Sequence, residues 1–208
     1  MSIVKLNNNG VKNATAFGSG VTSLGSMTFI KKLTASSSST LSFVDGTSSV
    51  VLDNTYKEYI FTFKDIHPQT DNTGFMFNLS TDSGSNYNVT KTSANFRAFN
   101  DEGSGDGVVR NESTSDLGQS TAFQDMTRED GSNDADHTCV GYLHLFNPSD
   151  TTFVKHFIIT TNSTHEADYT HTNFIVGYAN TTSAIDAVQF KMSSGNIDAG
   201  DICLYGIN

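Results

Sequence analysis

Apolar and polar positions alternate in short bursts from Met27 to the end of the chain, with the two-residue period of a half-buried strand. The clearest burst is 56–66, where Tyr59, Phe61 and Phe63 fall on one face and Ile60, Thr62 and Lys64 on the other. MTFIKKL, TLSFV and SVVLD precede it as short strands, separated by Ser-rich and Asp45-Gly46 turns. GFMFNLS and NYNVTKTSANFRAF follow, around the turn TDSGS. Residues 138–146, 152–161, 172–178, 187–192 and 201–207 complete the series, the last two flanking a Ser-Ser-Gly-Asn turn. Ser, Thr and Asn fill the polar positions and compete with helical backbone bonds, so little helix is expected. Roughly ten to twelve strands at near-regular spacing predict an all-β chain, an antiparallel β-sandwich of jelly-roll type. The strand phases predict a core containing Phe61, Phe63, Phe146, Phe157, Phe190 and Leu204.

Length and composition refine this picture. A chain of 208 residues buries a sizeable core without staples. Residues 27–208 read as one sandwich domain and 1–26 as a Gly-, Asn- and Ser-rich N-terminal arm. The arm's apolar residues, Ile3, Val4, Leu6, Val11, Phe17, Val21 and Leu24, have no obvious partner within a complete sandwich. They predict packing on a neighbouring copy and hence a homo-oligomer, with Phe17 and Leu24 as partner-binding candidates. MSIVKLNNNG lacks the apolar stretch of a secretory signal, and no apolar run approaches the roughly 18 residues of a membrane span. The expectation is a chain made in a cytoplasm and not inserted in a membrane.

Charge is low and lopsided. The net charge of −10, with Lys31-Lys32 the longest basic run, argues against nucleic acid as a partner. Residues 101–136 hold ten acidic residues and two arginines, a net −8, and read as a long acidic loop leaving the sheet. Hard cations want several oxygen donors on a flexible loop, so Asp101, Glu102, Asp106, Asp134 and Asp136 are candidate Ca²⁺ ligands. Their spacing does not match the twelve-residue calcium loop, and a solvated acidic surface is the favoured reading, with no cofactor.

Other chemistry is sparse. Cys139 and Cys203 lie in apolar runs and read as buried free thiols. His165 and His171 stand six residues apart, too far for a local ligand pair, and no His-Glu-x-x-His spacing occurs. No G-x-S-x-G motif or converging carboxylate pair singles out a hydrolytic site, so no catalytic residue is assigned. The phenylalanines alternate within strands and read as core, whereas Tyr87 and Tyr169, flanked by polar residues, are candidates for contact with a partner.

Residues 184–207 read AIDAVQFKMSSGNIDAGDICLYGI. This stretch resembles the C-terminus of a family of small β-rich virion structural proteins of tailed bacteriophages, marine ones especially. KLNNNGVKNAT, FIKKLTASSSSTLSFVDG, LDNTYKEYIFTFKDIHPQTD and LHLFNPSDTTFVKHF carry the resemblance over most of the chain. It implies a non-enzymatic virion protein in the tail or fibre region, with a host-attachment role open to it. It also implies a homo-oligomer, a trimer as fibre modules commonly are, contacting other virion proteins and, at a fibre tip, a host glycan or receptor. An outer capsid decoration protein is the alternative, and a glycan-binding or glycan-cleaving tip module a further one. A decoration protein would clamp a capsid with 1–26, whereas a tip module would present loops such as 67–74 or 101–136.

Overall fold

The computed structural model describes residues 27–103, 107–128 and 131–207, so the arm 1–26, with Phe17 and Leu24, lies outside the described residues. Among those residues there are twelve strands and no helix. They are β1 (Met27–Thr34), β2 (Leu41–Val44), β3 (Glu58–Pro68), β4 (Phe75–Ser80), β5 (Lys91–Asp101) and β6 (Val108–Asn111). The series continues with β7 (Gln124–Asp125), β8 (Cys139–Phe146), β9 (Lys155–Thr164), β10 (Tyr169–Ala179), β11 (Ala187–Met192) and β12 (Ile197–Ile207). An eight-stranded sheet has the order β1-β12-β3-β8-β9-β10-β5-β6, and a four-stranded sheet the order β2-β11-β4-β7. Every pairing between these strands is antiparallel. The two sheets form the predicted sandwich; jelly-roll connectivity is not established by this eight-plus-four partition.

The core forms where the small sheet meets one half of the large one. Phe190 on β11 lies 5.4 Å from Phe61 and 5.4 Å from Phe63, both on β3, with Phe43 and Phe75 completing the ring cluster. Phe77 of β4 packs edge-on to Phe157 of β9 at 5.3 Å. Phe61, Phe63, Phe157, Phe190 and Leu204 are buried as their strand phases predict. Phe157 lies directly opposite Gly177 in the β9–β10 ladder, and a Cβ there would stand 2.5 Å from its ring and 2.6 Å from the Thr92 carbonyl. Only glycine leaves that ring its place. The turn between β11 and β12 needs Gly195, whose φ of 69° is left-handed.

Three local expectations are corrected. Phe146 is only half-buried, because β8 turns Leu143 and Leu145 inward and leaves Phe146 in the outer phase. SVVLD is not a strand: Ser48 and Ser49 take positive φ, and the Asp45 carboxylate accepts the Leu52 N–H at 2.8 Å. Val50 and Leu52 still reach the core from this bend. The strand expected from 152 begins at Lys155, because Asp150 Oδ1 accepts the N–H groups of Thr152 and Phe153 at 2.6 and 2.7 Å.

Candidate assembly face and the polar interior behind it

The usual alternation of a sandwich strand is reversed at the β10-β5 end of the large sheet. On β5 the inward side chains are Lys91, Asn95 and Arg97, all buried, while Ala94, Phe96 and Ala98 point outward. On β10, His171 and Asn173 are buried, and Phe174 and Val176 face out, 38% and 50% exposed. The cause lies in the unequal sheets. Phe43, Phe190 and Phe77 cover β3 and β9, but the four strands of the small sheet end there. The polar segment 112–127 covers what remains. Its Met126 carbonyl accepts from Thr161 Oγ1 of β9 at 2.5 Å, and Thr127 Oγ1 accepts the Phe75 N–H of β4 at 2.8 Å.

Burying polar side chains demands partners, and most are supplied: Asn95 Nδ2 donates to Asn173 Oδ1 at 3.3 Å, while among the described residues Asn95 Oδ1 and Asn173 Nδ2 accept and donate no hydrogen bond. Glu112 is the centre. Arg97 Nε approaches its Oε2 at 2.7 Å, Arg128 Nε at 3.0 Å and Arg110 Nε at 3.7 Å, while Thr114 Oγ1 donates to Oε1 at 2.6 Å. Burial pushes its acidity toward the neutral form, but the Thr114 hydroxyl and the Arg128 and Arg97 guanidinium groups outweigh it and hold the carboxyl below its ordinary value. Asp116 Oδ1 accepts the Asn95 N–H at 2.6 Å, and Gln124 Nε2 donates to the Ser115 carbonyl at 2.8 Å.

Residues 101–136 are therefore not one solvated acidic loop. They contain β6 and β7, and Glu112 and Asp125 are buried. Arg97, from outside the segment, and Arg110 and Arg128, the two arginines within it, make the burial of Glu112 feasible. Asp125 is held by accepting the backbone N–H groups of Thr127 and Arg128, both at 2.8 Å.

The cation candidates divide. Asp101 and Glu102 sit beside the β9–β10 turn, where the Glu102 N–H donates to the Asp168 carbonyl at 3.2 Å. Asp134 and Asp136 are exposed, with carboxylates 3.8 and 4.0 Å from His137, whose other close acid is Asp168 at 4.0 Å. Asp106 lies outside the described residues. The fold thus gathers acids on one rim, yet no three of the described His, Cys, Asp or Glu residues converge as metal ligands. The same turn brings together the two histidines that are six residues apart: it folds His165 back until its ring is 5.1 Å from that of His171, with Tyr169 stacked on His171 and Phe99 edge-on to it. Tyr169 is half-buried in that cluster, and Tyr87 is half-buried with its hydroxyl over Gly84. Cys139 is buried and free on β8, its thiol pushed up to about 12 by burial first and Asp125 second. Cys203, expected to be buried, is only partly so, because β12 turns Ile202 and Leu204 inward.

The outer face opposite this polar interior combines apolar side chains with neutral polar ones. Tyr142, Thr160, Phe174 and Phe96 lie in register across β8, β9, β10 and β5. His144, Ile158, Val176 and Ala94 form the next row, and Val140, Asn162, Thr172 and Ala98 the row on the other side. Phe96 and Phe174 stack at its centre, 5.0 Å apart with planes 13° from parallel. No Asp, Glu, Lys or Arg occupies an outward position on these four strands. Beside them a shallow depression of about 560 Å³ is lined by Ala94, Phe146, Ile158, Val176, Gly177 and Tyr178. Exposed Phe29, edge-on to half-buried Tyr205, sits instead among charges, since β1 and β12 also carry Lys31, Lys32 and Asp201.

Alternation alone did not reveal this face, since Phe96 and Phe174 read as core. A sequence signal was present: Lys91, Asn95 and Arg97 share one phase of β5, and His171 and Asn173 one phase of β10. Charged and amide residues in one phase against Ala, Phe and Val in the other mark a two-sided strand, but not which side is covered.

Lys91 gives the polar interior a measurable signature. Its side chain is fully buried, with Nζ donating to Asn78 Oδ1 at 2.5 Å and to the Val89 carbonyl at 2.9 Å. Burial pushes its ammonium down from 10.5 to about 7. Between these values the unfolded chain binds the extra proton, so stability rises with pH across that window. Cys139 and Tyr59, both pushed up to about 12 by burial from 9.0 and 10.0, act oppositely, and their neutral forms cost stability once pH exceeds 9. Urea titrations from pH 7 to 9 should show a gain of about 1–3 kcal/mol. Lys91→Met should remove most of that gain; parallel curves for the two proteins would contradict it.

No protein-family model, curated protein or solved structure matches the chain. No helix among the described residues is long and apolar enough to cross a membrane.

Proposed function

We propose that the chain is a non-enzymatic virion structural protein of a tailed bacteriophage, a subunit of the tail or fibre region that works by packing against other subunits. The observation that supports the packing role is the reversed alternation of β5 and β10. A strand that buries Lys91, Asn95 and Arg97 while exposing Ala94, Phe96 and Ala98 is adapted to a second apolar environment on its outer side. The resemblance of residues 184–207 and the upstream segments to phage virion proteins supports the particle in which that packing occurs.

The test is mass spectrometry and labelled-antibody electron microscopy of purified particles from a phage carrying this sequence. The chain is expected in many copies per particle, with label on the tail or its fibres. Label spread over the capsid would replace this assignment with a decoration role. Absence from purified particles would refute the virion reading altogether.

A further inference from the structure

We infer that the outer face of β8, β9, β10 and β5 is the contact through which one copy of this chain packs, sheet on sheet, against a second copy. The inference deepens the packing role proposed above and rests on it. It stands on the polarity and dimensions of the face.

The first argument is charge. The chain carries −10 overall, so two copies repel wherever their charged surfaces meet. The outward positions of these four strands carry none of its Asp, Glu, Lys or Arg residues, whereas Glu58 on β3 and Asp101 at the end of β5 mark the borders. Like molecules approach at the least electrostatic cost through this face. The depletion of charge is also what the centre of a subunit interface shows.

The second argument is shape and size. Four strands about 4.8 Å apart and about nine residues long at 3.3 Å per residue make a face of roughly 20 by 30 Å. About 600 Å² per copy approaches the roughly 800 Å² per partner of a standard stable interface. Val109, which extends the Val140 row onto β6 and is 73% exposed, adds to it. Stacked sheets pack about 10 Å apart through interdigitating side chains, and Phe96, Phe174, Ile158 and Val176 have the bulk to fill that space.

The third argument is chemical economy inside the fold. The two charged residues that β5 buries are already paired within the chain, by Asn78 for Lys91 and Glu112 for Arg97, and the Asn95 amide of β5 donates to Asn173 of β10. The strands have no need of their outer side for hydrogen bonding. What that side offers is apolar area, and its partner is a surface of the same kind.

Sedimentation velocity of the purified full chain over a concentration series tests this without any virus particle, so it fails independently of the virion assignment. The wild type is expected to be oligomeric, at a multiple of 22.4 kDa. Val176→Glu and Ala94→Glu, each placing a carboxylate on both halves of the contact, should lower the association constant more than about ten-fold. Both positions point outward, so each variant should keep the wild-type circular dichroism and a cooperative melting transition that lacks only the concentration-dependent part association contributes. Phe29→Glu, which alters an apolar residue 56% exposed on β1, separated from β8 in the large sheet by β12 and β3, should leave assembly unchanged. Removing residues 1–26 should also leave it unchanged. A wild type that stays monomeric, or an oligomer indifferent to both face variants, would overturn the inference. So would an oligomer that dissociates on loss of 1–26 but tolerates the face variants, since the arm would then be the contact.

Discussion

Phe190→Ala is expected to lower the stability of the fold by about 3–5 kcal/mol, the largest loss from any single core truncation. Among the described residues, Phe190 is the one ring with two aromatic contacts in each sheet. It contacts Phe43 and Phe75 within the small sheet, at 6.2 and 5.8 Å, and Phe61 and Phe63 across the interior. Its strand is also the one that β2 and β4 both pair with, so it cannot move to fill the void without disturbing two ladders. Urea unfolding should show a lower midpoint with an unchanged slope. Phe146→Ala, which removes a half-buried ring in the outer phase of β8, should cost distinctly less. If the two truncations cost the same, the division of the large sheet into a covered inner side and a separate outer side is wrong.

That division is where sequence reading succeeds and where it stops. Tyr59, Phe61 and Phe63 share one phase against Ile60, Thr62 and Lys64 in the other, so the aromatic phase is the more apolar and the covered side follows directly. Beyond them the phase resets, because β3 bulges at Asp65, whose φ is 50°, and Ile66 and Pro68 become the inward residues. The β11–β12 turn was equally legible, since a left-handed residue was required and Gly195 supplies it. In β8 the signal fails. His144 and Phe146 alternate with Leu143 and Leu145, so both phases contain bulky rings or aliphatic groups, and the pattern does not distinguish the buried leucines from Phe146 in the outer phase.

The candidate face was hidden for a deeper reason. Period-two patterning states which residues share a side of a strand, not what lies over that side. For β5 and β10 the answer depends on the width of the small sheet and on where 112–127 crosses, both of which are tertiary facts. The burial of Glu112 was hidden in the same way. Its partners Arg97, Arg110 and Arg128 come from β5, β6 and the segment after β7; a local count of charge leaves out Arg97 and does not show that the other two converge on one carboxylate. Sequence composition read residues 101–136 as solvated; the fold uses their middle as the lining of its polar half.

Glu112→Gln should therefore be as damaging as a core truncation, at about 3 kcal/mol near neutral pH. The substitution preserves shape and leaves an oxygen to accept from Thr114, but it removes the carboxylate that Arg97, at 3% exposure, and Arg128 both face. The sign of the pH dependence follows from its lowered acidity. A carboxyl held below its ordinary 4.5 in the folded state contributes stability that is fully present above that value and is lost as pH falls through the folded one. The gap between wild type and Glu112→Gln should accordingly be widest at neutral pH and close in acid. The double replacement Arg97→Met with Glu112→Met should cost less than the sum of the single changes, because a matched pair of charges leaves the interior together. Urea midpoints for the four proteins measure the coupling. A Glu112→Gln protein within about 0.5 kcal/mol of wild type at neutral pH would show that the ion cluster does not hold segment 112–127 against the sheet. The apolar outer face would then lose its explanation as the far side of a polar interior that the fold has to keep paired.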